Sequence, residues 1–427
     1  MKIFDNPGRD GWGELLERPQ LALEFLDGAV RNVLNRVKKS GDSALRELTL
    51  QFDKVTVENL QVTEAEIQRA TDSLDESLKT AIRTAAANIE KFHAAQRREP
   101  VMVETTPGVI CWRKAVAIDK VGIYIPGGSA PLFSTVLMLG LPAKLAGCRE
   151  VVLCSPPDKS GQINPAILFA AQLVGVKKVF KVGGAQAIAA MAYGTETIPN
   201  VYKIFGPGNQ YVTKAKQLAV EEGVAIDMPA GPSEVLVMAD ESANPTFIAA
   251  DLLSQAEHGE DSQVILVLNN TTHLEAIQQE IQKQLNALPR KAIAEKALLH
   301  SRVVILPNEQ DALDFVNAYA PEHLIINMNN PEDIAGKIVN AGSVFLGNYS
   351  PEAIGDYASG TNHTLPTNGH AKAFAGVALE SFMKYITYQQ LTKDGLRKLG
   401  PVVEKMAEAE QLMGHSMAIR VRLDALQ

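Results

Sequence analysis

Residues 121–128 read Val-Gly-Ile-Tyr-Ile-Pro-Gly-Gly. A short apolar run that ends in proline and paired glycines is the pattern of a buried strand entering a tight turn. It recurs downstream. Val151–Cys154, Lys178–Val182, Val201–Phe205, Val224–Asp227, Val235–Ala239, Val264–Leu268, Val303–Leu306, Leu324–Asn327 and Val344–Leu346 all read as strands. Helical segments such as Asn164–Leu173 and Thr272–Leu285 lie between most of them. Near-continuous apolar strands alternating with helices predict an α/β fold with parallel sheets covered on both faces. Glycine-rich turns follow several strands, at Ile125–Gly128, Val182–Gly184 and Gly206-Pro207-Gly208-Asn209. Ligands in such sheets sit at the carboxyl ends of strands, so this cluster points to one nucleotide-binding unit between 120 and 235. The fingerprint is incomplete, since Tyr211 stands where the third glycine of GxGxxG belongs, and ligand-free turns explain the pattern equally well.

The flanks have a different rhythm. The first hundred residues read as helical, with Thr63-Glu64-Ala65-Glu66 as a capping box opening a stretch toward Arg98. The last fifty return to helix. There Pro401–Met413 is charged and amphipathic, Pro401 suits a first helical position and Gly414 a cap.

At 427 residues, two or more domains are expected. Hydrophobic residues make up 46%, enough for a core that needs no disulfide or structural metal, so any metal is expected to be functional. The net charge of −8 argues against nucleic acid as a partner. Three cysteines, Cys111, Cys148 and Cys154, form no CxxC pair and fit a reducing compartment. The N-terminus lacks the apolar core of a signal peptide, and no uncharged run reaches membrane-spanning length. A cytoplasmic protein without a membrane partner is the expectation.

Of the eight histidines, His93, His273, His300 and His370 lack clustered partners and read as surface or boundary residues. The others lie in polar constellations. Asn244-Pro245 starts a helix whose end carries Gln255 and His258, three apart on one face, with Gly259 as cap. A carboxamide and an imidazole there can ligate a metal. Alone, though, a histidine at a helix C-terminus is more simply explained by the macrodipole. Glu322-His323 stands where a helix hands over to a strand. It joins a carboxylate to an imidazole, the usual parts of acid–base chemistry, or merely ends the helix. Gly355–His363 has no large aliphatic side chain and reads as a functional loop carrying Asp356 and His363. Glu410 and His415 alone read as a solvated helix end.

At these residues the chain closely resembles the histidinol dehydrogenase family. The resemblance covers essentially the whole chain and rests on long motifs: VGIYIPGGSAPLFSTVLM, KVGGAQAIAA, IFGPGNQYVTKAK, IDMPAGPSEVLV, DLLSQAEHG, PEHL and SPEAIGDYASGTNHTLPT. It implies oxidation of L-histidinol to L-histidine through histidinal with two NAD+ and water, the last step of histidine biosynthesis. It implies zinc, one ion per subunit, on Gln255, His258, Asp356 and His415, with Glu322 and His323 as the catalytic pair. Ser233, His363 and Glu410 match substrate-binding positions, shared with His323 and the zinc ligands Gln255, His258, Asp356 and His415. Tyr124, Gln186 and Asn209 match NAD-binding positions. The implied fold has two related, incomplete Rossmann-like (aldehyde-dehydrogenase-like) domains with parallel sheets and small helical termini. The expected division is an N-terminal helical arm 1–24, a zinc and substrate domain of 25–123 with 235–377, an NAD domain 124–234, and a C-terminal helical arm 378–427. The implied assembly is a homodimer in which that last arm carries His415 and Glu410 into the neighbour's site.

Two other readings compete. One is a covalent thiohemiacetal on cysteine, opposed by the apolar contexts of Cys148 and Cys154. The other is a zinc- or nucleotide-binding regulator that turns nothing over.

Overall fold

The computed structural model describes residues 1–19, 26–127, 130–229 and 231–426. Gly128 of the first glycine turn, and residues 20–24 of the expected N-terminal arm, lie outside the described residues.

Every strand expected from the sequence forms. The strands are β1 Lys2–Asp5, β2 Met102–Thr106, β3 Val109–Ala117, β4 Lys120–Tyr124, β5 Glu150–Ser155, β6 Lys178–Lys181 and β7 Lys203–Phe205, followed by β8 Ala225–Ile226, β9 Glu234–Ala239, β10 Gln263–Leu268, β11 Arg302–Ile305, β12 His323–Asn327, β13 Ser343–Leu346 and β14 Met383–Leu391. They build three sheets. One has six strands in the order β1-β11-β10-β9-β12-β13, and one has five in the order β6-β5-β4-β7-β8. All pairings in both are parallel. The third sheet, β14-β3-β2, is antiparallel.

Both parallel sheets are buried on two faces, as their unbroken apolar strands require. Val235, Val237 and Ile325 of the six-stranded sheet enter one core, while Leu236, Met238, Leu324 and Ile326 enter the other. The five-stranded sheet divides likewise. Val121, Ile123 and Leu153 pack beneath Ile67, Ile82 and Ile89, and Tyr124, Val152 and Cys154 pack beneath Val30, Leu34 and Leu45. The helices of residues 27–94 therefore cover the five-stranded sheet, and β4 itself runs across position 123.

The termini depart from the helical expectation. The N-terminal arm opens on β1, whose backbone pairs with β11 from Lys2↔Arg302 to Asp5↔Ile305. Four residues are too few to display a period, and only the partner strand reveals the role. The stretch from Thr63 keeps its capping box but breaks at Leu74, where Asp75 caps a second helix, Glu76–Ala94, by accepting the amide of Ser77. The C-terminal arm opens on β14, an exposed strand held by β3. Pro401 lies inside helix Lys393–Ala409 and Gly414 inside helix Met413–Asp424, so neither marks a helix end. Among the described residues, no helix is long and apolar enough to cross a membrane.

Candidate active site

The two parallel sheets meet at one site, but by opposite ends. The five-stranded sheet presents its carboxyl ends: Tyr124 closes β4, Gly183-Gly184 follows β6, and Gly206–Asn209 follows β7. Helices 184–193 and 210–221 begin in these turns, so their unpaired amides and positive dipole ends gather here. The six-stranded sheet presents its amino ends. Ser233 and Glu234 stand at the start of β9, and Glu322 and His323 at the start of β12. The helix that follows β9 returns to this edge, so its C-terminus brings Gln255 and His258. Only half of the site thus obeys the carboxyl-end expectation. The other half offers a negative dipole end, which suits cations and imidazole.

A cavity of about 850 Å³ lies on the first side, lined by Tyr124, Gly127, Gly184, Gln186 and Asn209 among others. Glycine turns and side chains such as Arg36, Gln51, Phe52, Asp158 and Lys159 line it together. Tyr124 is buried, and its hydroxyl accepts the amide of Gly184 at 3.0 Å. Asn209 caps helix 210–221, its carboxamide oxygen accepting from Tyr211 and Val212. Gly206 has φ +126°, and a Cβ there would lie 2.1 Å from the Tyr124 carbonyl oxygen, so only glycine fits. Lys216 and Asp227, a buried ion pair, fasten this turn: Lys216 Nζ donates to the Gly206 carbonyl and Asp227 accepts the Gly206 amide.

The second cavity, about 490 Å³, is built from side chains: Ser233, Gln255, His258, Glu322, His323, Asp356 and His363 all line it. Gly127 and Asn209 line both cavities and mark their junction. Three separate stretches of sequence thus line one cavity. Local details differ. The helix ends at Ala256, so His258 lies just beyond it and Gly259 is not its cap. Asp356 sits on a short helix, Glu352–Tyr357, rather than in an open loop.

Glu322 and His323 are both buried, and β12 begins between them, so both reach the cavity. Burial pushes the Glu322 carboxyl up to about 8, against the pull of His323 and the Glu234 amide it accepts. Burial opposes the imidazolium of His323 too. Here Glu322, with Oε2 3.7 Å from Nδ1, and Asp356, with Oδ1 3.2 Å from Nε2, outweigh it and raise the pKa. Both ring nitrogens of His323 face acceptors, since Nδ1 donates to the Glu234 carbonyl at 3.1 Å. Burial would raise Asp356 as well, but its bond to His323 holds it below the usual carboxylate range. His363 and His258 are lowered, chiefly by desolvation. His363 donates from Nδ1 to the Asp356 carbonyl at 2.8 Å, which leaves Nε2 as the acceptor for the Thr135 hydroxyl at 3.0 Å. Ser233 Oγ lies 3.3 Å from His258 Nδ1.

Metal donors are present in part. Among the described residues, no group of three or more His, Cys, Asp or Glu is arranged to hold a metal ion. Gln255 supplies a different kind of donor. Its carboxamide is wholly buried; the nitrogen faces the Glu352 carboxylate, and the oxygen has no hydrogen-bond partner. An orphaned amide oxygen is costly unless something else satisfies it, and with His258 and Asp356 on the same cavity the chemistry fits a borderline cation. His415 and Glu410 do not join them. Both are exposed, His415 on helix Met413–Asp424 and Glu410 at the end of helix Lys393–Ala409.

Sequence reading placed His93 at the surface or a boundary, yet it is fully buried, between Gln96 and Asn362 of the 355–363 segment. It also missed Glu234 and Thr135. The first opens an apolar strand and the second lies inside an apolar helix, where a polar residue was the only available signal.

The family model for histidinol dehydrogenase matches residues 16–423. A histidinol dehydrogenase from Bacteroides fragilis is 58% identical over 427 residues, all of both chains. One from Yersinia pestis is 53% identical over 415 residues, which is 96% of this chain and 93% of that one. The crystal structure of a histidinol dehydrogenase from Elizabethkingia anophelis superposes with a TM-score of 0.98 at 55% identity, covering 100% of this chain and 98% of that one.

Proposed function

The chain belongs to the histidinol dehydrogenase family, and we propose that it oxidises L-histidinol to L-histidine in two steps through histidinal, using two NAD+ and one water, as the last step of histidine biosynthesis. The observation that carries this reading is the junction of the two cavities. A cavity at glycine turns and helix N-termini, suited to a dinucleotide, opens at Gly127 and Asn209 onto one lined by a buried acid–base pair.

Tyr124, Gln186 and Asn209 would hold NAD+, whose chemistry would be hydride acceptance, once for the alcohol and once for the hydrated aldehyde. Gln255, His258 and Asp356 would hold zinc, with His415 from a second copy as fourth ligand. The ion supplies a binding point for the imidazole and amine nitrogens of the substrate and no redox chemistry. Asp356 cannot hold an imidazolium and ligate with the same oxygen. With Asp356 engaged as a ligand, His323 Nε2 would lack that acceptor and would serve as a neutral base for the hydroxyl proton. Glu322, held near neutrality by burial, then takes a proton from the water that adds to the aldehyde. Ser233, His363 and Glu410 would complete the substrate pocket. Keeping histidinal in place avoids a second binding event and side reactions with amines.

A homodimer with shared sites is the assembly this reading requires. It is supported by the exposed apolar side chains of the C-terminal arm, among them Val402, Met406, Met413, Met417 and Val421.

The test is direct. Protein, zinc, NAD+ and L-histidinol are mixed and NADH absorbance is followed. Turnover with two NADH per histidinol is expected; a flat trace defeats the proposal and favours a binding protein.

A further inference from the structure

Glu322 and His323 are held from a single residue that belongs to neither their strand nor their turn. Glu234 opens β9. Its backbone amide donates to Glu322 Oε2 at 2.8 Å, and its carbonyl accepts from His323 Nδ1 at 3.1 Å. Any movement of the Glu234 backbone shifts both groups together. The Glu234 side chain is 2% exposed and would be an uncompensated buried charge on its own.

What compensates it comes from the far end of the chain. Arg18 grips Glu234 in a fork, Nε to Oε1 at 2.5 Å and Nη2 to Oε2 at 3.0 Å. Glu234 Oε1 also accepts the amide of Asn368. The same guanidinium donates to the Tyr319 carbonyl at 2.7 Å and lies 3.9 Å over the Tyr319 ring. Tyr319 is fully buried and fixed in turn by its hydroxyl bond to Gln263. Arg18 therefore ties the start of β9 to the Tyr319–Pro321 segment that leads into Glu322 and His323. Bidentate pairing with an aromatic stack restricts orientation far more than a point charge does.

We propose that Arg18 and Glu234 are positioning residues for the reaction: a clamp that sets the register between Glu322 and His323 without touching substrate. The inference rests on reading that pair as the proton-transferring groups. A buried ion pair that served stability alone would need no backbone link to both of them. Misplacement of a reacting group by a fraction of its working distance costs rate rather than affinity.

The experiment compares the zinc-loaded wild-type protein with Glu234→Gln, which is nearly isosteric, and Arg18→Lys, which keeps charge but loses the fork. The readouts are kcat, KM for histidinol and NAD+, and the solvent deuterium isotope effect on kcat. Each variant is expected to lose about tenfold or more in kcat, with both KM values within about twofold of wild type. The isotope effect should rise above the wild-type value as proton transfer becomes limiting. This last readout is a ratio, so a smaller folded fraction cannot produce it. In Arg18→Ala, millimolar guanidinium is expected to restore part of the rate; should that variant fail to fold, Glu234→Gln carries the test. Wild-type kcat in both variants, or reduced kcat with an unchanged isotope effect, overturns the clamp. An inactive wild type would instead defeat the reading of Glu322 and His323 on which it rests.

Discussion

The two halves of the site are built from different materials. On the five-stranded side the shape comes from glycine turns, helix N-termini and the capping carboxamide of Asn209, together with side chains such as Arg36, Asp158 and Lys159. On the six-stranded side it comes from buried, ionisable side chains gathered at strand amino ends and a helix C-terminus. The difference matches what each half is proposed to hold. A dinucleotide carries anionic phosphates, which amides and positive dipole ends accommodate. A cation and a proton relay need donors and groups whose pKa is moved by burial. The same βαβ architecture would then serve opposite charges by exposing opposite ends.

The sharpest way to break this contrast is to remove one side chain from the six-stranded half. His323→Asn is expected to slow the first oxidation by about 10²–10⁴-fold, the usual range for loss of a general base. NAD+ binding should be unchanged, because His323 does not line the dinucleotide cavity. Single-turnover NADH formation and a separate NAD+ titration measure the two effects. A loss of NAD+ affinity as large as the loss of rate would mean that the halves are not separable.

Charge burial on the six-stranded side should also appear as a stability cost. Asp251 lies behind the cavity on the helix that carries Gln255, and burial together with nearby Glu352 pushes its carboxyl up to about 7 from 3.8. The native state binds this proton more tightly than the unfolded chain. Stability from this group is therefore full below pH 3.8 and is lost as pH rises toward 7. Asp251→Asn removes the cost, and should be more stable than wild type by roughly 2–4 kcal/mol above neutrality. The gap should close on acidification. Urea denaturation at alkaline and acidic pH reads it; a gap that does not depend on pH would assign the effect to packing.

The five-stranded half should respond to backbone change instead. Gly206→Ala puts a methyl 2.1 Å from the Tyr124 carbonyl at φ +126°. A loss of about 1–3 kcal/mol in stability is expected from strain and overpacking, together with weaker NAD+ binding and little change in zinc content. Melting temperature, NAD+ titration and metal analysis check the three parts. Unaltered NAD+ affinity would mean that this turn shapes the sheet but not the ligand site.

The same contrast explains what the sequence revealed. All ten strands expected from apolar runs formed, because strands buried on both faces leave an unmistakable signature. Strands paired at an edge or in the antiparallel sheet did not show. β14 mixes polar, aromatic and isolated aliphatic residues on an exposed surface, with no apolar run, and β1 is defined only by its partner β11. In the site, glycine turns and the Glu322-His323 pair were legible because each is locally unusual. Convergence was not, since spacing carries no information about which ends of two sheets meet. Glu234 was invisible for a related reason: the atoms that hold Glu322 and His323 belong to its backbone, and its partner Arg18 is 216 residues away.

The smallest expected effect concerns the cysteines, and it separates the proposed chemistry from a covalent one. An aldehyde held as a thiohemiacetal needs a thiolate that faces the reacting carbon. Cys154 is fully buried in β5, where desolvation drives its thiol pKa far up, and burial pushes Cys148 up to about 12. The Cys148 thiol donates to the Phe382 carbonyl. Cys111 lies on β3 in the antiparallel sheet, and none of the three lines either cavity. The variant Cys111→Ser, Cys148→Ala, Cys154→Ala should therefore keep turnover within about twofold. It should lose only about 1 kcal/mol or so of stability, from the small cavity left at Cys154. Steady-state rates beside a melting curve decide the matter. Activity lost from a folded variant would return the covalent route to contention and with it a third kind of group, a nucleophile, that neither half of the site displays.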